Sequence, residues 1–65
     1  MKPLNSCIMG EVGLAEYKNR LRLLGFRKMK SDGNKQLYQN HRHKVLIQCD
    51  GRSVRVDIFG KGAPL

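Results

Sequence analysis

Tryptophan is absent from this 65-residue chain, and its aromatic side chains are two tyrosines and two phenylalanines. A core built without large rings must come from aliphatic residues. Acidic residues are scarce as well: 5 Asp and Glu face 13 Lys and Arg, for a net charge of +8. Cysteine occurs twice, at Cys7 and Cys49. The pair has no C-x-x-C spacing, so neither a zinc site nor any other metal or cofactor is expected. No apolar run approaches the roughly 20 residues that span a bilayer, which argues against a membrane protein. No signal peptide is visible either, and the expectation is a cytoplasmic protein with reduced thiols.

A chain this short is one domain and buries only about 60% of its unfolded surface. That leaves little room for an enclosed catalytic cavity. The charge excess, with an isoelectric point of about 10.1, generates a positive potential that attracts polyanions. The partners implied are nucleic acid, RNA or DNA, or an acidic protein surface.

Leu14, Tyr17, Leu21 and Leu24 recur at helical spacing and predict an amphipathic helix over 10–25, ended by Gly25. Residues 1–9 have no clear period and are expected to form an arm or a short extended segment. After Gly25 the period changes to two. Strands are expected at 26–31, 35–40, 43–49 and 52–59, giving a sheet region over 26–59, and residues 60–65 are expected to fray as a flexible tail. The expected fold is α+β: one amphipathic helix packed on a three- to four-stranded antiparallel β-meander. Its core would hold Leu14, Tyr17, Leu21, Leu24, Phe26, Met29, Leu37, Val45, Ile47, Val54, Val56 and Ile58. An exposed edge, the first or the last predicted strand, offers a route to a homodimer.

Asp50 and Gly51 stand between two alternating apolar runs. They predict a two-residue type I′ hairpin in which Cys49 faces Arg52, Ile47 faces Val54 and Lys44 faces Asp57. One face of that hairpin is then aliphatic. The other presents Arg42, Lys44 and Arg55, and is the expected binding surface.

The remaining cations fall into groups. Arg27, Lys28, Lys30 and Lys35 lie on the first hairpin, where Tyr38 is a candidate either to stack on a base or to pack in the core or at its rim. Arg52 lies on the second hairpin with Arg42, Lys44 and Arg55. Lys18, Arg20 and Arg22 occupy the helix and form a second candidate face. Counterion release supplies the free energy of phosphate binding and asks for little side-chain precision. His41 and His43 flank Arg42, but a zinc site needs at least three protein ligands and an acid–base catalyst needs a positioned partner. A polar turn beside a phosphate-binding arginine accounts for them better than catalysis.

The stretch LAEYKNRLRLLGFRKMKSDGNKQLYQN resembles the N-terminal half of HicA-type toxins, small RNA-cleaving proteins with a double-stranded-RNA-binding-like fold. Gly25 and Phe26, Lys30, the Gly33-Asn34-Lys35 segment and Tyr38 fall at the places of that family's motif. The position of the family's catalytic histidine holds Lys35, and a predicted strand, 53–59, stands where the family has a C-terminal helix. The resemblance therefore implies a helix-and-sheet surface for nucleic acid and argues against ribonuclease activity. Three functions follow, in order: a non-catalytic nucleic-acid-binding protein; a small inhibitor or adaptor docking on a host protein, as suits phage or plasmid accessory genes; and a degenerate HicA-like ribonuclease.

Overall fold

The computed structural model describes residues 2–65; Met1, the first residue of the expected arm, lies outside them. In chain order the elements are β1 (Asn5–Gly10), α1 (Glu11–Leu23), β2 (Arg27–Asp32), β3 (Lys35–Gln39), β4 (His43–Asp50) and β5 (Ser53–Gly60). The strands form one antiparallel five-stranded sheet in the order β1-β5-β4-β3-β2, and α1 packs on one of its faces. The α+β class is as expected, with one strand more than the sequence announces.

The extra strand is β1, which occupies most of the expected arm. Its sequence, NSCIMG, hides the strand because an edge position buries so little: every residue is exposed except the half-buried Met9. β1 pairs with β5 from Asn5 opposite Ile58 to Gly10 opposite Ser53. The last strand is consequently interior, and the sheet edges are β1 and β2.

The helix ends as its sequence requires. Gly25 adopts φ +84°, its N–H donates to the Arg22 carbonyl, and the Phe26 N–H donates to Leu21 at 2.9 Å. This is a Schellman cap, and its usual apolar contact is present in the burial of Leu21 and Phe26 in one cluster. Leu24 is the cap residue itself and stays exposed, contrary to its expected place in the core. Met29 is exposed too, because the β2–β3 register shifts between Lys28 and Lys30 and leaves it in a bulge.

The β4–β5 hairpin corrects the expected turn. Asp50 pairs with Ser53, so the two loop residues are Gly51 and Arg52. Gly51 has φ +61° and, among the described residues, no non-glycine residue has positive φ, the pattern of a type II′ turn with glycine first. The register moves by two residues, and because strand periodicity is two, every side chain keeps its predicted face. Ile47 now faces Val56, Val45 faces Ile58 and Lys44 faces Phe59 in place of Asp57.

Val45, Ile47, Val54 and Val56 are fully buried beneath Leu21 and Phe26, with Met9, Leu14, Tyr17, Tyr38, Cys49 and Ile58 packed around them. The opposite face is buried in part as well. Leu37 and Phe59 are covered there, and Ala63 in the C-terminal segment is 4% exposed. The expected flexible tail is instead a folded cover. The Lys61 N–H donates to Arg42, the Ala63 N–H donates to Gly60, and Lys44 Nζ donates to the Ala63 carbonyl at 2.7 Å.

Candidate nucleic-acid interface

α1 packs against β1 and β5, its Leu21 clusters with Val45 and Ile47 of β4, and from the β2–β3 hairpin Tyr38 packs against that cluster. Between the helix and that hairpin runs an open groove of about 370 Å³, lined by Lys18, Arg22, Phe26, Arg27, Lys28 and Tyr38. Two of the four cations come from the helix and two from β2. Lys28 stands directly opposite Tyr38 in the β2–β3 ladder, and Tyr38 stands opposite Val45 in the next. Tyr38 is half-buried, its hydroxyl donating to Gln36 Oε1 at 3.3 Å, so its ring is fixed at the boundary between core and groove. Among the described residues no carboxylate lines the groove. Four like charges brought together in this way repel one another, and an anion bound between them relieves the repulsion.

The cations expected on the far side of the sheet are more dispersed. Arg55 is paired with Asp57, and Lys44 is committed to the tail. Lys30 and Lys35 flank Asp32 around a small apolar hollow lined by Leu37, Leu46 and Leu65. Arg42 and Arg52 are exposed in separate turns. Arg20, expected with Lys18 and Arg22, turns away from them and pairs loosely with Glu16 at 3.5 Å.

The histidine corner is built by Asn40. Its Oδ1 accepts from the N–H groups of Arg42 and His43, both at 2.8 Å, and its Nδ2 donates to the Leu24 carbonyl at the helix end. This one side chain shapes the β3–β4 turn and ties it to the helix cap. His41 is exposed in that turn, while His43 enters a mostly apolar cleft with Leu21, Leu24, Phe26 and Ile58. Among the described residues no group of three His, Cys, Asp or Glu side chains is placed to hold a metal ion, and no helix is long and apolar enough to cross a membrane. Cys7 and Cys49 are both free thiols.

Sequence reasoning named all four groove cations and Tyr38 but assigned them to two separate surfaces. The signal it lacked was the position of the helix. α1 follows directly on β1 and packs against β1 and β5, at the end of the sheet away from β2. Phe26, a core residue by its sequence pattern, also lines this groove. No protein-family model, no curated protein and no solved structure matches the chain.

Proposed function

We propose that this protein is a non-catalytic nucleic-acid-binding protein that holds the phosphate backbone of RNA or DNA in the groove between α1 and the β2–β3 hairpin. The observation that carries this reading is the convergence of Lys18, Arg22, Arg27 and Lys28 around Tyr38 with no carboxylate among the described residues lining the groove. Tyr38 offers a π-face to a base, and the cations supply counterion release. The resemblance of residues 14–40 to HicA-type toxins supports a nucleic-acid surface, and Lys35 in the place of the catalytic histidine supports binding without cleavage.

A second reading, an inhibitor or adaptor docking on an acidic protein surface, has one observation in its favour. Leu23 and Leu24 are exposed immediately beside Arg22, and apolar residues set among cations suit a protein partner better than a phosphate backbone. A salt titration against single-stranded RNA, duplex RNA, single-stranded DNA and duplex DNA separates the two. Binding that weakens steeply and linearly in log K against log salt is expected for the first reading. No binding to any of the four at moderate salt overturns it and leaves the protein partner. Release of cleaved products from any of them overturns the non-catalytic assignment.

A further inference from the structure

The two edges of the sheet differ in kind. β2 carries Arg27, Lys28, Lys30 and Asp32, and its ladder is broken by the bulge between Lys28 and Lys30. Charge and local distortion of this sort deter a second strand from adding to an edge. β1 has neither. It holds no charged side chain, its register with β5 is continuous over all six residues, and its outer side faces no strand among the described residues. Leu4 and Ile8, 69% and 75% exposed, stand along it.

We infer that β1 pairs antiparallel with β1 of a second copy of this chain about a two-fold axis, joining two five-stranded sheets into one of ten strands. Charge selects the arrangement. Each copy carries +8, so two copies repel wherever their basic surfaces approach. The groove lies between α1 and the β2–β3 hairpin, on the β2 side of the sheet, while the cations beside β1, Arg55 opposite Ile8 and Arg20 near Met9, are each paired with a carboxylate. Contact through β1 is the arrangement that places the uncharged edges together and the two grooves furthest apart. It is also self-complementary, as a two-fold interface must be.

The geometry restricts the register. An axis perpendicular to the sheet keeps both helices on one face, and directly opposed residues must then point to the same face. The axis therefore passes beside one residue that faces its own copy. Centring on Cys7 or on Ile8 pairs five of the six β1 residues, the most available with matched faces. In the first case Ser6 opposes Ile8 of the second copy; in the second, Cys7 opposes Met9 of the second copy.

Sedimentation equilibrium on nucleic-acid-free protein tests this over a wide concentration range. The expected result is a species of twice the 7.4 kDa chain mass, and loss of that species in Ile8→Lys. Ile8 is an exposed edge residue, so the substitution removes no core contact. Hydrogen exchange on the wild-type chain should show the β1 amides gaining protection as concentration rises, and this decides the matter if Ile8→Lys fails to fold. A wild-type monomer throughout overturns the inference. So does a dimer whose β1 exchange is independent of concentration, which puts the interface elsewhere. A monomer whose β1 amides become protected only in a cell extract assigns the edge to another protein and also overturns it. No nucleic acid enters these measurements, so their failure leaves the groove reading untouched.

Discussion

Arg55 Nε lies 3.2 Å from Oδ2 of Asp57 and 3.3 Å from its Oδ1. Asp57 is 5% exposed and also accepts a hydrogen bond from Ser6 Oγ at 2.6 Å, so β1 and β5 are joined by a side-chain network as well as by their ladder. Arg55 is thereby committed to structure, although its side chain remains 59% exposed and water weakens the pair.

Replacing Arg55 with Ala leaves the Asp57 carboxylate with Ser6 as its remaining side-chain partner. An unsatisfied buried polar group costs about 1–3 kcal/mol, and the exposure of Arg55 places this change at about the lower end of that range. In a domain of this size about 1 kcal/mol lowers Tm by roughly 4–8 °C. Thermal denaturation should show a shift of that order in Arg55→Ala, with nucleic-acid affinity little changed once the protein is folded. An unshifted Tm would mean that Ser6 and water satisfy Asp57 without Arg55.

Gly51 supplies the second stability test. Its φ of +61° lies in the left-handed region, and a Cβ added there would meet nothing within 4 Å, so any penalty is purely one of backbone conformation. Gly51→Ala should cost about 1–2 kcal/mol. Gly60→Ala, equally open but without a positive φ, should stay within about 0.5 kcal/mol of wild type. Urea unfolding of the two variants side by side measures the difference. Equal midpoints would contradict the type II′ assignment.

That turn also shows how far the sequence carries. The alternation in 43–49 and 52–59 assigns every residue of β4 and β5 to its correct face, because face depends only on parity. The same alternation is blind to a slip of two, so the register was left to turn chemistry. Both Asp-Gly and Gly-Arg are acceptable two-residue loops, and the choice between them depends on where glycine sits. β1 was illegible for a different reason: a strand that buries only Met9 in part has no apolar rhythm to detect. Missing it hid the placement of α1 and therefore the groove. Gly60, Gly62 and Pro64 suggest a frayed tail, while Ala63 is buried and its carbonyl accepts from Lys44, a contact that local pattern does not contain.

Tyr17 gives a prediction in pH. Burial, and to a smaller degree the negative charge of the Cys7 thiolate, push its phenol above the ordinary value of 10.0. The folded state therefore keeps a proton that the unfolded state releases. Its contribution to stability is complete below pH 10.0 and is lost progressively as pH rises above it, because there the unfolded chain binds fewer protons than the folded one. Tyr17→Phe should abolish that part of the alkaline decline while retaining the ring that packs against the core. Denaturant midpoints measured on both proteins across the alkaline range check it. Parallel curves would show that Tyr17 ionises equally in both states.

The groove makes the sharpest functional forecast. Arg22 and Lys28 are exposed, line it from helix and strand, and among the described residues take no part in the side-chain hydrogen bonds and ion pairs that hold the fold together. The double variant Arg22→Ala, Lys28→Ala should fold like the wild type. Each lost phosphate contact should flatten the dependence of log K on log salt by about 0.7–0.9, so the pair should weaken binding by an order of magnitude or more at moderate salt. Tyr38→Phe keeps the ring and should bind normally. Tyr38→Ala should lose the roughly 1–3 kcal/mol of a stacked base, judged on the fraction that remains folded. The triple change of Arg42, Lys44 and Arg55 to Ala serves as the contrast. Two of those residues hold the tail and Asp57, so it should lower Tm more than it lowers affinity. If the triple variant loses binding at unchanged Tm while the groove double variant binds as the wild type does, the phosphate-binding surface is the tail side of the sheet, and the groove between α1 and β2–β3 is not the site.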